Sequence, residues 1–216
     1  MKRRVAILIS GRGSNMAALI EAAKASDFPG EIVVVISNRP EAGGLERAKA
    51  SGVPTVAIES KPFGGDRAAF EAVLQAALDQ HKVDLICLGG FMRLFTAEFV
   101  QRWYGRMLNI HPSLLPAFPS LDPHGQALRA GVKISGATVH FVIPETDAGP
   151  ILMQGAVAVS DNDTPETLAA RILAIEHRIY PAALRLVAGG RIRLEGDVCR
   201  TAGSGASDDV LVAPAF

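Results

Sequence analysis

Short runs of unbroken apolar residues alternate, through the first half of the chain, with longer stretches whose apolar positions recur every three or four residues. The runs "RVAILIS" (4–10), "EIVVVIS" (31–37), "PTVAIE" (54–59), "VDLICLGG" (83–90) and "RMLNI" (106–110) read as buried strands. The stretches "NMAALIEAAKAS" (15–26), "GLERAKASG" (44–52) and "TAEFVQRWY" (96–104) read as helices. Asp66 stands where a helix N-cap would, and Phe70, Val73, Leu74, Ala77 and Leu78 then fall on one apolar stripe. This β-α-β-α order, with strands that are apolar on both faces, predicts an α/β, Rossmann-like and mostly parallel sheet. Helices should cover both faces and crossovers should be right-handed.

After about residue 133 the rhythm changes. "ISGATVHFVI" (134–143) and "ILMQGAVAVS" (151–160) are strand-like but are joined only by "PETDAGP" (144–150). Seven residues cannot hold a crossover helix, so at least one strand of the C-terminal half should run antiparallel. A long amphipathic helix follows, with Thr164 as N-cap and Pro165 at the first helical position, kinked or interrupted near Pro181. The expectation is one domain over 1–194, β-rich in its second half, and a loose tail over 195–216.

Composition narrows the partners. Lysine plus arginine (22) equals aspartate plus glutamate (22), so no net positive charge exists to hold a nucleic acid non-specifically, although a local phosphate site stays open. Two cysteines, Cys87 and Cys199, make neither a disulfide framework nor a zinc pattern, which points to a reducing cytoplasm. "MKRRVAILIS" has the basic start of a signal peptide. Its apolar stretch of about six residues is too short for one and reads as the first strand. No apolar run reaches membrane-spanning length. Small-molecule substrates are therefore expected, with no nucleic-acid or membrane partner.

Two places carry candidate chemistry. "SGRGSN" (10–15) lies between the first strand and first helix, where glycines let the backbone approach an anion and helix N–H groups face it. The dinucleotide pattern fails, because Met16 stands at the third glycine position and the second strand ends "ISNRP" without an acid. No Lys-Ser/Thr follows, so a P-loop fails too. A site for one phosphate at Gly13, Ser14 and Asn15 remains, beside the plainer reading of a turn that needs glycine for its own shape.

The second place is "NIHPSLLPAFPSLDPH" (109–124). Asn109 and His111 alternate onto one side of a strand end, where open parallel sheets bind ligands. A carboxamide N–H can stabilise an oxyanion and an imidazole can move a proton near neutral pH. Prolines 112, 116, 119 and 123 stiffen the chain beyond. Asp147 sits in the tight connection before a strand, where an Asx-type turn residue is the ordinary expectation. His140 is open to reading as a packed histidine. A metal site from His111, His124, His140 and Asp147 lacks helix-type His spacing, and no metal is expected.

Taken together, "LISGRGSN", "GFMR", "LNIHPSLLPAFP", "GATVHFV", "DAGPI" and "EHRIYP" resemble the phosphoribosylglycinamide formyltransferase family, from about residue 3 to 194. The resemblance implies catalytic roles for Asn109, His111 and Asp147. It implies ribonucleotide contacts at Gly13, Ser14, Asn15 and Glu176. It implies folate contacts at Arg67, at Met92, Arg93, Leu94 and Phe95, and at Ile143, Pro144, Glu145 and Thr146. For Met92 and Leu94, ordinary core packing is the alternative. The implied cosubstrate is 10-formyltetrahydrofolate, the implied pathway purine synthesis, and the implied state a monomer or homodimer. The chain departs from the family at "FPSLDPH", where Ser120 replaces a glycine and Asp122 a histidine, and at Thr146, where an apolar residue is usual.

On that reading Asn109 would donate to the tetrahedral oxyanion, His111 would handle the proton, and Asp147 would hold the imidazole and favour its cation. Two sister activities compete: formyltetrahydrofolate hydrolysis, expected with an extra N-terminal regulatory domain, and methionyl-tRNA formylation, expected with an extra C-terminal RNA-binding domain. A non-catalytic nucleotide-binding module would keep the glycine loop without needing the polar trio.

Overall fold

The computed structural model describes residues 1–203 and Ala213. Among the described residues seven strands form one sheet: β1 (Arg3–Ile9), β2 (Gly30–Ser37), β3 (Thr55–Ala57), β4 (Leu85–Leu88), β5 (Met107–His111), β6 (Ile134–Phe141) and β7 (Ile151–Ala158). Their order is β3-β2-β1-β4-β5-β6-β7. The first five pair in parallel, whereas β5–β6 and β6–β7 are antiparallel. The short 144–150 connection thus forces a hairpin, as its length requires.

Helices α1 (Ser14–Ala23), α2 (Gly43–Ala50), α3 (Arg67–Gln80), α4 (Ala97–Arg102), α5 (Pro123–Arg129) and α6 (Pro165–Ala188) connect and cover the strands. Two apolar cores result, one on each face. The α1–α6 side gathers Val5, Ile7, Ile9, Met16, Leu19 and Tyr180, and the α3–α4 side gathers Ala6, Leu8, Phe70, Leu74, Leu78 and Trp103. Successive residues of β1 feed opposite cores, which is why this strand is apolar without alternation. Cys87 is fully buried, and burial pushes its thiol up to about 12, so it packs as a small apolar residue.

The caps read from the chain form. Asp66 accepts from the Ala69 N–H at 2.9 Å, and Thr164 with Thr167 closes a reciprocal capping box around Pro165. Two expectations are corrected, and a third, the kink or interruption near Pro181, loses its second alternative. Val73 is 45% exposed, off the buried stripe made by Phe70, Leu74 and Leu78, because that stripe is narrower than the full apolar set. Helix α6 runs through Pro181 without interruption. Finally, the region from 195 onward starts as structure: β8 (Ile192–Glu195) and β9 (Val198–Thr201) form a hairpin through Glu195 and Val198. The remainder of the proposed tail, 204–212 and 214–216, lies outside the described residues. No helix among the described residues is long and apolar enough to cross a membrane.

Candidate active site

Because the first five strands are parallel, the segments after β1, β4 and β5 emerge on one edge of the sheet. The glycine loop leaves β1 there. Gly13 has φ +67°, a left-handed conformation glycine adopts freely, and caps α1 without a side-chain hydrogen bond. A Cβ on Gly13 would lie 3.0 Å from Met16 Cε and 3.3 Å from Gly44 Cα. The first-turn N–H groups of an α-helix lack intrahelical partners, and here they follow directly on this glycine. Asn15 donates from Nδ2 to Glu176 Oε2 at 2.7 Å, which joins α6 to the loop. Burial raises the Glu176 carboxyl above its ordinary range, opposed by the Asn15 hydrogen bond. Asn15 Oδ1 is buried without a partner among the described residues, an acceptor available to a ligand hydroxyl or N–H.

Two strands away, β5 delivers Asn109 and His111 to the same edge. β5 pairs with β4 through Leu88 and Asn109, and Gly89 lies against the α1 N-terminus, 3.6 Å from the Met16 nitrogen to its Cβ position. Asp147 enters from the β6–β7 connection with φ +53°, rare for a residue with a side chain. Gly149 makes that turn possible, since a Cβ there would fall 1.8 Å from the Phe141 carbonyl oxygen. The Asp147 carboxylate then spans the trio, with Oδ2 3.3 Å from His111 Nδ1 and Oδ1 3.5 Å from Asn109 Nδ2. His111 Nε2 lies 3.1 Å from the Phe118 carbonyl. Both ring nitrogens face oxygen atoms.

His140 belongs to this cluster. Antiparallel register puts it opposite Asn109, and its Nε2 lies 3.2 Å from Asn109 Nδ2 and 3.7 Å from Asp147 Oδ1. Its Nδ1 lies 3.0 Å from the Phe141 carbonyl, so the proton sits on Nδ1 and Nε2 accepts from Asn109. Burial holds His140 below the ordinary histidine range, and the Phe141 carbonyl and Asp147 oppose this more weakly. Its position on the strand gave no hint of this; only the β5–β6 register reveals it.

The remaining expected residues divide. Met92 and Leu94 are 63% and 62% exposed, so neither is core packing. Phe95 stacks on Phe99 and Phe91, and the Arg93 guanidinium lies 4.8 Å over the Phe70 ring. Arg67 is exposed at the start of α3, and Pro144, Glu145 and Thr146 are exposed beside half-buried Ile143. Asp122 caps α5, a helix not foreseen from the pattern. It accepts from the Gly125 N–H at 3.1 Å and pairs with Arg129 at 2.9 Å. Among the described residues no group of three or more His, Cys, Asp or Glu is placed to hold a metal ion.

Comparison with known proteins gives the family. The family described as formyl transferase matches residues 3–184. Phosphoribosylglycinamide formyltransferase of Bacillus subtilis (strain 168) is 41% identical over 187 residues, covering 87% of this chain and 95% of that protein. The trifunctional purine biosynthetic protein adenosine-3 of Bos taurus is 48% identical over 92% of this chain, which spans 20% of that longer protein. Glycinamide ribonucleotide transformylase 1 from Symbiobacterium toebii superimposes with a TM-score of 0.89 at 47% identity, covering 93% of this chain and 94% of that one. The chain belongs to the formyl transferase family, with phosphoribosylglycinamide formyltransferases as its relatives along nearly its whole length.

Proposed function

We propose that this chain transfers the formyl group of 10-formyltetrahydrofolate to the glycine amine of 5'-phosphoribosylglycinamide, a step of purine synthesis in the cytoplasm. The observation that carries the reading is one sheet edge. It holds a phosphate-type glycine loop tied to Glu176 and, at the end of β5, an Asn–His–Asp cluster. A non-catalytic nucleotide module has no use for the second half of that edge.

The substrate amine attacks the formyl carbon, and a tetrahedral oxyanion forms. Among the described residues the second Asn109 Nδ2 proton is held only by a 3.5 Å contact to Asp147, the outer limit of a hydrogen bond, so it is the donor free to turn to the oxyanion. One such donor is worth roughly 3 kcal/mol of barrier. The amine must lose a proton, and the folate nitrogen must gain one as its bond to the formyl carbon breaks. His111 is the group placed to move it, directly or through water, with Asp147 orienting the ring. Gly13, Ser14 and Asn15 hold the phosphate and Glu176 the ribose side. Arg67, the 92–95 stretch and the 143–147 loop receive the folate. No metal enters this scheme.

The test mixes protein with 10-formyltetrahydrofolate and follows folate absorbance with and without the ribonucleotide. Formyl loss that requires the ribonucleotide is expected. Equal loss without it would replace transfer by hydrolysis as the activity.

A further inference from the structure

In a dinucleotide-binding sheet the end of the second strand carries an acid for the ribose. Here Asn38 follows β2, and it turns inward. Its Oδ1 accepts from the Ser10 hydroxyl at 2.5 Å and its Nδ2 donates to Ser60 Oγ at 3.2 Å. The Ser10 oxygen in turn accepts from the Met92 N–H at 2.8 Å, and the Ser10 N–H donates to the Gly90 carbonyl at 3.2 Å. Ser10, Asn38 and Ser60 are 4%, 5% and 9% exposed. These form a continuous buried polar chain joining the ends of β1 and β2, the segment after β3, and the stretch after β4.

Apolar side chains would fill this space without the desolvation cost of three polar ones. Each member is satisfied, and such chains polarise and rigidify themselves. What the chain fixes is asymmetric. The glycine loop has other anchors: Gly44 N–H to the Gly11 carbonyl at 3.0 Å, and Asn15 to Glu176. The stretch after β4 anchors its side chains by ring contacts, Arg93 over Phe70 and Phe95 between Phe91 and Phe99, whereas its backbone enters through Gly90 at φ +76° with the Met92 N–H hung on Ser10.

We propose that Ser10 is a positioning residue for the cosubstrate: through its hydroxyl it holds the 92–95 backbone in register with the phosphate loop, so that folate and ribonucleotide meet at a fixed separation. This rests on the function proposed above. Ser10 touches neither substrate in this scheme; it acts through Met92.

Steady-state kinetics of Ser10→Ala with both substrates varied tests it. The KM for 10-formyltetrahydrofolate should rise about tenfold, the equivalent of 1.4 kcal/mol. The KM for the ribonucleotide should change less than twofold. Ser60→Ala, which removes only the far end of the chain, should raise the folate KM less than threefold. Amide exchange adds a readout: the Met92 N–H should be protected in the unaltered protein and lose protection in Ser10→Ala. Should Ser10→Ala fold poorly, Ser10→Cys, similar in size with a weaker hydrogen-bonding group, should show the same split at smaller amplitude. An unchanged folate KM in either folded Ser10 variant, equal rises in both KM values, or a Ser60→Ala effect as large as that of Ser10→Ala would overturn the proposal while leaving the transferase reading intact. An unaltered protein without ribonucleotide-dependent formyl loss would overturn both.

Discussion

Asn109 and His140 face each other across the antiparallel pair β5–β6, with Asn109 Nδ2 3.2 Å from His140 Nε2. The contact works only while Nε2 carries no proton, because Asn109 is the donor. Burial, which keeps His140 neutral at pH 7, therefore also keeps the carboxamide aimed. His140→Phe, which keeps the bulk and loses the acceptor, should lower kcat by about tenfold, since misaiming one donor forfeits part of its ~3 kcal/mol. Steady-state kinetics at pH 7 checks this.

The same burial makes a stability prediction. The folded-state value of His140 is depressed, so the unfolded chain binds the proton first as pH falls. Stability from this group is fully present above the ordinary value near 6.5 and is lost as pH drops below it, by at most about 1.4 kcal/mol per pH unit. Urea unfolding between pH 7 and 5 should show a flatter decline in His140→Gln than in the unaltered protein. Parallel curves would remove His140 from the acid response.

The Asp147 carboxylate lies 3.3 Å from His111 Nδ1. In Asp147→Asn the ring loses the group that orients it, and kcat should fall at least tenfold while both KM values change little. Asn109→Ala should lower kcat by ten- to a thousandfold, the worth of one oxyanion donor. Steady-state kinetics checks both, and an unchanged kcat in folded Asp147→Asn would remove Asp147 from the reacting set.

Gly13 combines a positive φ with contacts of 3.0 and 3.3 Å at its Cβ position. Gly13→Ala should raise the ribonucleotide KM at least fivefold and Gly13→Val further, with the folate KM little changed. A left-handed backbone costs a side-chain-bearing residue roughly 1–2 kcal/mol, and the added carbons would press on Met16 and Gly44 and displace the loop. Calorimetric titration with the ribonucleotide separates lost binding from lost folding.

Asp122 caps α5 and pairs with Arg129, so its place in the loop is accounted for without chemistry. Asp122→His, the residue that the resemblance implies there, should change kcat less than tenfold while lowering the melting temperature. A hundredfold change in kcat would place this position in the reacting set.

Much of this was legible in the residues alone. Apolar runs and periodic stretches specify the parallel half, because a strand buried on both faces must be apolar throughout. Asp66, Thr164 and Pro165 mark helix starts through purely local bonding. Asn109 and His111 declare themselves because polar side chains at a core strand's end are costly unless used. Local rules also foresaw the reversal at 144–150, since seven residues allow nothing else. Helix α5 escaped notice because its seven residues show no full apolar period, and its signal is one cap, Asp122. What only the tertiary structure decided is which distant groups meet. The β5–β6 register sets His140 rather than a neighbour against Asn109, and a one-residue slip would turn it to the other face. The left-handed turn at Asp147 swings its carboxylate onto two strand residues. Parallel packing brings Ser10, Asn38, Ser60 and Met92 into one chain of hydrogen bonds. Such pairings join residues up to 82 positions apart, and no local propensity encodes them; they exist only once the sheet has closed.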